Sequence, residues 1–567
     1  MNHSSTSSHP GEHTLSPETS TEEESSSRGW LKGLRIVGLC TLLSRVLGLV
    51  RDIGMAMVFG NGVVMDAFSV AFRIPNLARR LFGEGALTAA FLPAFVKEDQ
   101  QHGRDSAWKL ASSVFTALAV VLIVMVLTGE ILLGALHLIG NFGLETTLLI
   151  SLTAVMLPYL VLICLAAQVS AVLHALGHFT WPALLPVLLN VVWILCLWLI
   201  VPELDTAVER VLAVAICVLF GGCLQLAAPL PSLFRLGYRY RPEWRESRET
   251  VQGIGRAMLP IMLGLSITQI NTLADSLIAW GFAQPENSDA TMSLPGNPEY
   301  PLTTGTASAL YFGQRLYQFP LGVFGVALGT VLFPLLSRHA QAGRMDRVRD
   351  TLSDGLRLVI CIGFPASVGL MLLAEPLTTL LFQRGAFDTQ DAQQTAGIIV
   401  CYASAVWAYC GLLIVHRAFY ALGDRQTPLR AGLFAVGLNL VLNLTLIWNL
   451  GGQGLALGTA VASIIQVITV TILIQSRLGK MDWKRIAKTA AKSVFATVVM
   501  SLACWFTMEQ LGDDQAGLGD RFMRVGVPLG SSLVIFGIAA WLVGLDELWM
   551  LFRRSGSNSD QNDSVIR

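Results

Sequence analysis

Arginine is the side chain with which this sequence could do chemistry, because arginines stand inside stretches that are otherwise apolar. The candidates are Arg45, Arg51, Arg80 and Arg315. A charge near the centre of a membrane helix costs roughly 2.5–3.5 kcal/mol on insertion scales, so charges retained there usually mark function. The guanidinium group stays charged when it is desolvated, and its planar fork matches the oxygens of phosphate and carboxylate. The pattern indicates a binding site for an anion such as a pyrophosphate.

Acidic side chains accompany these arginines in the second apolar stretch. Asp66, Arg73 and Arg80 are seven residues apart and therefore fall on one face of a helix. Glu84 follows Arg80 by four residues, within pairing distance, and Pro75 is expected to bend the same helix. An alternative is open, and it is the preferred interpretation for Arg73. An arginine can pair with a neighbouring carboxylate, or extend its long stem to the membrane surface, without binding any ligand.

A second set of polar residues predicts a site of opposite charge. Its members are Asp275, Asn439, Asn443 and Thr459, which lie in three different predicted helices. Oxygen ligands of this kind suit a hard cation such as sodium. The alternative, which the sequence favours slightly, is that the Asn and Thr side chains form hydrogen bonds between helices.

The elements that carry these residues are predicted to be membrane helices. Of the 567 residues, 53% are hydrophobic and only 14% are charged, against roughly 25% in typical soluble domains. The apolar residues cluster in runs close to the ~20 residues that cross a hydrocarbon core as a helix, and no strand-like alternation dominates them. We predict an all-α integral membrane protein with about fourteen transmembrane helices. The predicted spans are 34–59, 64–96, 108–138, 146–174, 182–202, 209–234, 252–283, 305–337, 349–373, 391–422, 428–449, 453–476, 486–510 and 523–552.

Basic residues concentrate in alternate loops between these spans. The loop at 235–248 contains five arginines, whereas the loop at 283–304 contains neither Lys nor Arg. Because cytoplasmic loops carry the excess of Lys and Arg, the pattern predicts an even number of spans with both termini in the cytoplasm. The loop at 175–181 is the weak one, since it has a histidine but no Lys or Arg.

Two halves of the chain resemble each other. The tripeptide Ala-Leu-Gly at 175–177 recurs at 421–423, each time with a proline five residues later, and 75–93 resembles 320–334. Six predicted spans separate the copies, which implies two pseudo-symmetric six-helix lobes related by an axis along the membrane normal. Chance similarity between short motifs is the alternative. The predicted units are a disordered cytoplasmic tail (1–29), an N-lobe (30–240), a C-lobe (241–480), a pair of C-terminal helices (481–554) and a cytoplasmic tail (555–567).

The sequence also argues against several classes of function. It contains no GK followed by Ser or Thr, no GxSxG and no HExxH, so no nucleotide-binding or hydrolytic motif is present. Transport would then use an ion gradient or the membrane potential, and not ATP bound by this chain. The net charge of zero gives no indication of nucleic acid, and the isolated cysteines predict neither a zinc site nor a disulfide framework.

The motifs around these residues resemble those of the MurJ (MviN) family of lipid II flippases. The resemblance extends over 34–554 and is carried by SRVLGLVRD at 44–52, DAF at 66–68, PNL at 75–77, RRLFGEGA at 79–86 and RLYQFPLGVFGVA at 315–327. It implies the fold of the MOP exporter superfamily, with fourteen helices in two lobes. It also implies a transporter, not an enzyme, which moves the undecaprenyl-pyrophosphate-linked peptidoglycan precursor across the bacterial inner membrane by alternating access and acts as a monomer among membrane lipids.

The same resemblance implies roles for individual residues. Substrate binding falls to Arg45, Arg51, Arg80 and Arg315, to an essential acidic residue at Asp66 or Glu84, and to Asn76 within the second-span motif. A sodium ion, bound in some members, would be held by Asp275, Asn439, Asn443 and Thr459, and the last two helices would form a groove for the lipid tail. Some members carry acidic residues where this chain has Gln314 and Gln318, which puts a proton-carrying role at those positions in doubt.

Other functions stay open at this point. A flippase for another oligosaccharide-linked lipid has the same charge requirement, and only the motifs of the first two spans argue against it. A drug exporter for cations should have an acidic cavity, whereas this one is predicted to be basic. A membrane enzyme acting on the same lipid would need carboxylates near an aqueous loop, for which Glu375 and Asp388 are candidates by position alone.

Overall fold

The structure is a computed structural model that describes residues 17–285, 291–292, 298–512 and 517–550. Within these ranges, the side chains at 17–35, 83–86, 88, 263, 265, 268 and 549–550 are not described. The predicted C-terminal tail, 555–567, and part of the 283–304 loop therefore lie outside the described residues.

The named elements of this part of the chain are all helical, and one isolated bridge pairs Ala283 with Leu302. The α-helices are α1 Pro17–Phe59, α2 Val63–Ala78, α3 Thr88–His102, α4 Arg104–Ile139, α5 Leu144–Met156, α6 Tyr159–Ala175, α7 Thr180–Leu195, α8 Ala207–Ala227, α9 Leu230–Arg235, α10 Trp244–Gly281, α11 Thr306–Pro320, α12 Val326–Gln341, α13 Met345–Leu372, α14 Ala374–Leu381, α15 Thr389–Ala403, α16 Val406–Ala421, α17 Gln426–Leu450, α18 Gly452–Leu478, α19 Trp483–Gln510, α20 Leu518–Leu542 and α21 Asp546–Met550. Irregular helix occurs as π-helix at Arg79–Leu87, Cys196–Ile200 and Leu321–Gly325, and as 3₁₀-helix at Val201–Glu203.

The lengths of these helices fit a protein that crosses a membrane many times. Within the described ranges, ten helical segments are long and apolar enough to span, and the pair α15–α16, bent by 42°, is an eleventh if it crosses as one span. The other predicted spans, 34–59, 64–96 and 252–283, are also helical, but their charged and polar residues make them less apolar. The all-helical membrane fold is thus confirmed, whereas the count of fourteen spans stays a prediction.

The first helix is longer than the sequence pattern predicted. It begins at Pro17, so 17–29, expected to belong to a disordered tail, are helical. The physical reason is a favourable start, since proline suits the first helical position and acidic residues in the first turns interact well with the helix dipole. Here Pro17 is followed directly by Glu18.

The first nine helices share a large apolar core. Near one end of it, Phe68 and Phe72 of α2 pack edge-on against Trp193 of α7, with ring centroids 5.5 and 5.3 Å apart. A separate core joins α12, α13, α16 and α18. Helix α10 packs against α2 on one side and α17 on the other, so it connects the two halves of the bundle.

The last helices are attached to α13. Helices α19 and α20 pack on each other, and α19 packs on α13. Arg357 of α13 forms a buried ion pair with Glu547 of α21, and Thr489 of α19 donates a hydrogen bond of 2.8 Å to the same carboxylate. Because these side chains are buried, the pair of helices is held to the second half of the bundle by a polar contact as well as by apolar packing.

Matching irregularities occur in the two halves. The bend expected at Pro75 is followed by the π-helix Arg79–Leu87, and Pro320 is followed by the π-helix Leu321–Gly325. These are the segments whose sequences resemble each other. A π-helical turn inside an α-helix frequently marks a functional site, and here each one faces the space between the halves.

Candidate functional site: a cationic cavity between the two halves

A cavity lies where α2 and its π-helix meet α10 and α11. Its volume is about 70 Å³. Its wall is strongly polar, and the polar residues that line it are Arg73, Asn76, Arg80, Gln269, Thr272, Tyr311, Gln314, Arg315 and Gln318. The three charged residues of this lining are all arginines, so within the described residues the cavity presents positive charge.

An ion cluster that joins the two halves lies beside the cavity. Arg51 Nη2 lies 2.7 Å from Asp52 Oδ1, and Arg315 Nε lies 3.2 Å from Asp52 Oδ2. The Tyr311 hydroxyl donates to Asp52 at 3.1 Å and accepts a hydrogen bond of 2.9 Å from Arg315 Nη2. One carboxylate therefore compensates two guanidinium groups, one from each half, and the cluster keeps a net positive charge.

The guanidinium group of Arg51 makes further contacts besides the one with Asp52. Its Nη1 donates to Asn190 Oδ1 at 3.0 Å, and its guanidinium carbon lies 4.6 Å from the centre of the Trp193 ring, in a cation–π contact. Asn190 in turn donates to the backbone carbonyl of Ser44 at 3.0 Å. Arg51 was predicted to bind substrate, but its contacts hold the ion cluster in place and leave Arg315 as the member that lines the cavity.

Arg45 is exposed and lies close to the second half. A Cβ atom on Gly322, in the π-helix Leu321–Gly325, would come within 2.8 Å of Arg45 Nη1, so only glycine leaves the guanidinium its present room. No hydrogen bond or ion pair joins Arg45 to the described residues. Its charge is available to a ligand entering between the halves.

Arg80 and Asn76 line the cavity as the sequence predicted. The Oδ1 atom of Asn76 accepts a hydrogen bond of 3.1 Å from Arg79 Nε, so Asn76 also holds the neighbouring arginine in place. Arg79 lines a different cleft, inside the first half, as expected for a residue on another face of the helix. The side chain of Glu84 lies outside the described residues, and its pairing with Arg80 stays a prediction.

Asp66 does not line the cavity, in contrast to its predicted part in binding substrate. Its buried carboxylate accepts two backbone hydrogen bonds at the start of α11, from Gly305 at 2.8 Å and from Ser308 at 2.6 Å. A carboxylate is stabilised at a helix N-terminus by the unpaired N–H groups and the helix dipole. Sequence spacing placed Asp66 on the face of Arg73 and Arg80, but it lies at the end of α2 where the halves touch.

Other contacts close this same end of the bundle. Asn61 donates its backbone N–H to Asp391 Oδ2 at 3.0 Å and its side-chain amide to Thr395 Oγ1 at 3.0 Å. Gly60 adopts φ 58°, and a Cβ there would lie 2.5 Å from the Ala386 carbonyl oxygen, so the close approach requires glycine. At the opposite end, α1 packs chiefly on α7, and α12 packs on α13 and α16. The contacts of Asn61, Asp66 and Asp391 therefore close the bundle at the end that carries the 283–304 loop.

The residues predicted to hold sodium are brought together from three helices. Asp275 Oδ1 accepts from Asn439 Nδ2 at 2.9 Å and from Asn443 Nδ2 at 2.6 Å, and Thr459 Oγ1 donates to Oδ2 at 3.2 Å. Asn271 adds a weaker contact of 3.4 Å. The close packing of these residues is compatible with both alternatives from the sequence. Hydrogen bonds between helices are present, and oxygen atoms suited to a cation lie close together.

Two features of this cluster go beyond helix packing. The Oδ1 atoms of Asn439 and Asn443 are buried and have no hydrogen-bond partner among the described residues. They face Gly458, where a Cβ would collide with Asn443 Oδ1 and lie 3.3 Å from Asn439 Oδ1. Two unpaired carbonyl oxygens beside a carboxylate, in room that only glycine leaves, fit a small hard cation.

Three residues of this region have roles in the structure that the sequence did not predict. Asp52 is the centre of the ion cluster, and its position directly after Arg51 was the available signal. Arg73 lines the cavity, whereas the sequence favoured pairing with a carboxylate or extension to the membrane surface. Asn190 holds Arg51, and no pattern in the sequence linked two residues so distant along the chain.

Comparisons with known proteins agree with this architecture. The family model described as "Lipid II flippase MurJ" matches residues 55–515. A protein of Vibrio cholerae described as "Probable lipid II flippase MurJ" is 34% identical over 457 residues, which cover 78% of this chain and 82% of that protein. The solved structure "Lipid II flippase MurJ, inward closed conformation" superposes with a TM-score of 0.72 at 22% identity, over 91% of this chain and 99% of that one. An inward-facing multidrug MATE transporter of the MOP superfamily superposes with a TM-score of 0.61 at 13% identity, over 79% and 96%.

Proposed function

The chain belongs to the MurJ family of lipid II flippases, and we propose that its cationic cavity receives the pyrophosphate of lipid II. The protein is a multi-pass membrane transporter of the peptidoglycan pathway, and not an enzyme. The observation that carries the proposal is the cavity lining, whose charged residues Arg73, Arg80 and Arg315 are all arginines, with Arg45 exposed nearby. A cavity for cationic drugs would need the opposite charge.

The arginines differ in what they can offer to a pyrophosphate. Arg45 is exposed without a polar partner among the described residues, so it can turn toward an anion at little cost, and Arg80 is exposed at the cavity wall. Arg315 pairs with Asp52, and a bidentate pyrophosphate would compete with that carboxylate for it. Competition of this kind would loosen the contact between the halves when substrate is bound, which links binding to movement.

The closed end of the bundle supports transport by alternating access. With the basic loops on the cytoplasmic side of the inner membrane, the contacts of Asp66, Asn61 and Asp391 would seal the periplasmic end. The head group would enter from the cytoplasm, and rocking of the halves would expose it to the other side. The lipid tail would stay in the membrane, along the groove beside α19 and α20, and one chain would suffice.

We also propose that Asp275, Asn439, Asn443 and Thr459 bind a monovalent cation such as sodium. The unpaired Oδ1 atoms of the two asparagines and the room at Gly458 support this assignment. A cation there would neutralise a buried carboxylate, and an ion gradient could then supply energy for movement.

The function is tested by complementation in a bacterium depleted of its own lipid II flippase. We expect the wild-type chain to restore growth and Arg45→Ala, at equal abundance, to fail, because the variant loses an unpaired cation of the entry path. Arg239→Ala is the matched control, since Arg239 is an exposed arginine in a predicted cytoplasmic loop. A well-expressed wild-type chain that does not restore growth would overturn the assignment. Rescue by Arg45→Ala would remove Arg45 from the mechanism.

A further inference from the structure

Arg73 of α2 is a half-buried cation that uses few of its hydrogen-bond donors. Its Nη1 atom donates to Gln314 Oε1 at 3.2 Å, while its Nε and Nη2 atoms are buried and have no hydrogen-bond partner in the described part of the chain. A guanidinium carries five N–H donors, and burying such a charge without compensation is costly. We therefore expect a negative charge near the guanidinium group of Arg73, at the boundary between the halves.

The compensating charge is the carboxylate of Asp275. Arg73 shares the cavity wall with Thr272, which lies one helical turn before Asp275 on α10. Gln314 links this part of the wall to the second half, because it accepts a hydrogen bond from Arg73 and its Nε2 donates to the Tyr402 hydroxyl at 3.2 Å. Arg73 and Asp275 carry opposite charges in this polar region, and no ion pair joins Asp275 to a basic residue among the described side chains.

The two partners belong to different halves of the bundle. Arg73 lies on α2, and Asp275 bonds to side chains of α17 and α18. Their attraction therefore contributes to holding the halves in the observed arrangement. A second cation placed beside Asp275 would be repelled by Arg73 and would cancel the charge that attracts Arg73.

We propose that Arg73 acts as a built-in counter-cation to Asp275, so that a monovalent cation bound by Asp275, Asn439, Asn443 and Thr459 competes electrostatically with Arg73. The inference rests on the cation site proposed above and adds how that site is coupled to the movement of the halves. Binding of the ion weakens the contact between α2 and α10. By linkage, closure of that contact weakens ion binding by the same factor.

The test measures sodium binding by the purified full-length chain in lipid nanodiscs. Sodium replaces choline at constant ionic strength, and radioactive sodium retained by the protein is counted. We expect Arg73→Gln to bind sodium at least about tenfold more tightly than the wild type, because one tenfold step corresponds to removal of a modest coupling between the sites. Arg73→Lys, which keeps the charge, should behave as the wild type, and so should Arg239→Gln in an exposed loop.

Each outcome decides between the possibilities. Sodium binding that is tighter in Arg73→Gln, or measurable only there, and that disappears in the double variant with Asp275→Asn, supports the inference. Equal affinities in folded wild type and Arg73→Gln would overturn the role of Arg73 and leave the cation site in place. If neither protein binds sodium, the cation site itself is overturned and the inference with it, whereas complementation by the wild type would still establish the flippase.

Discussion

The two halves of the bundle share matching irregularities but carry opposite charges at their polar centres. In the first half, α2 and its π-helix bring Arg73 and Arg80 to the cavity, and α1 carries the exposed Arg45 nearby. In the second half, Asp275 is buried among amides and a hydroxyl from neighbouring helices. An exposed cluster of cations can accept a large anion, whereas a carboxylate enclosed by amides and a hydroxyl leaves little space around it. The two polar centres therefore differ in charge and in exposure.

The halves also differ in how their charges are compensated. Arg51 and Arg315 share one carboxylate, Asp52, so this cluster keeps a net positive charge. Asp275 receives hydrogen bonds from neutral donors, so its negative charge is solvated by the protein and not cancelled. Removing Asp52 from the first half should therefore disturb transport, whereas removing Asp275 from the second half should act chiefly through stability.

The largest effect is expected for Asp52→Ala. Without the carboxylate, Arg51 and Arg315 would face each other with no counter-charge, and breaking a buried ion pair in this way costs roughly 3–5 kcal/mol. We expect lipid II translocation in proteoliposomes to fall by about 10²–10³-fold, since 1.36 kcal/mol corresponds to about a factor of ten. Asp346→Ala, which removes an exposed partner of Arg349, should leave the rate unchanged. A rate near that of the wild type for Asp52→Ala would contradict the shared carboxylate.

Asp275→Ala is expected to act on stability. The change leaves the buried amide group of Asn443 without its acceptor, whereas Asn439 keeps its hydrogen bond to Asn271, and an unsatisfied buried group costs about 1–3 kcal/mol. Thermal unfolding in detergent should shift downward, in a sodium-free buffer as well. The control is Thr445→Ala, on the exposed side of α17, the helix that carries Asn439 and Asn443. It should change the unfolding temperature little. An unchanged unfolding temperature for Asp275→Ala would show that the amides find other partners.

Asp66→Asn should weaken the closed end of the cavity by about 1 kcal/mol, because the amide loses the charge that favours the start of α11. The measurement is labelling of Leu77→Cys, in the cavity wall, by an impermeant maleimide added from the side of the 283–304 loop. Exposed Cys223 is replaced by serine in all variants. Faster labelling is expected in Asp66→Asn than in its parent. Equal labelling would mean that the contacts of Asn61 and Asp391 close this end alone.

The smallest effect is expected for Gly322→Ala. The added methyl group meets the flexible end of Arg45, which can move by a few tenths of an ångström. The rate of translocation should stay within roughly twofold of the wild type, as is usual for changes of about 0.5 kcal/mol. Gly322→Leu, which would fill the space, should lower the rate further. A severe loss in Gly322→Ala would show that Arg45 must lie against α12 and its π-helix to function.

Much of the fold and part of the site could be predicted from the sequence. Apolar runs and their lengths predicted a helical membrane protein, and the motifs around Arg45, Arg80 and Arg315 predicted a cationic cavity. The residues that meet around Asp275 were also singled out, because polar side chains are costly in such helices, whereas a cation bound there stays a proposal. The helical start at Pro17 was missed, because the composition of the tail outweighed its favourable first turn.

What the sequence determined by itself is which charges enter the membrane, because each one interrupts an apolar run and is visible without any structure. Only the tertiary structure decided what each charge does. Asp66 and Arg73 share one helix face, yet one caps α11 at the closed end and the other faces the cavity with unused donors. Residues far apart in the chain, such as Arg51 and Asn190, became partners only through packing. The reason is physical, since compensation of a buried charge depends on its neighbours in space, and spacing along one helix does not specify them.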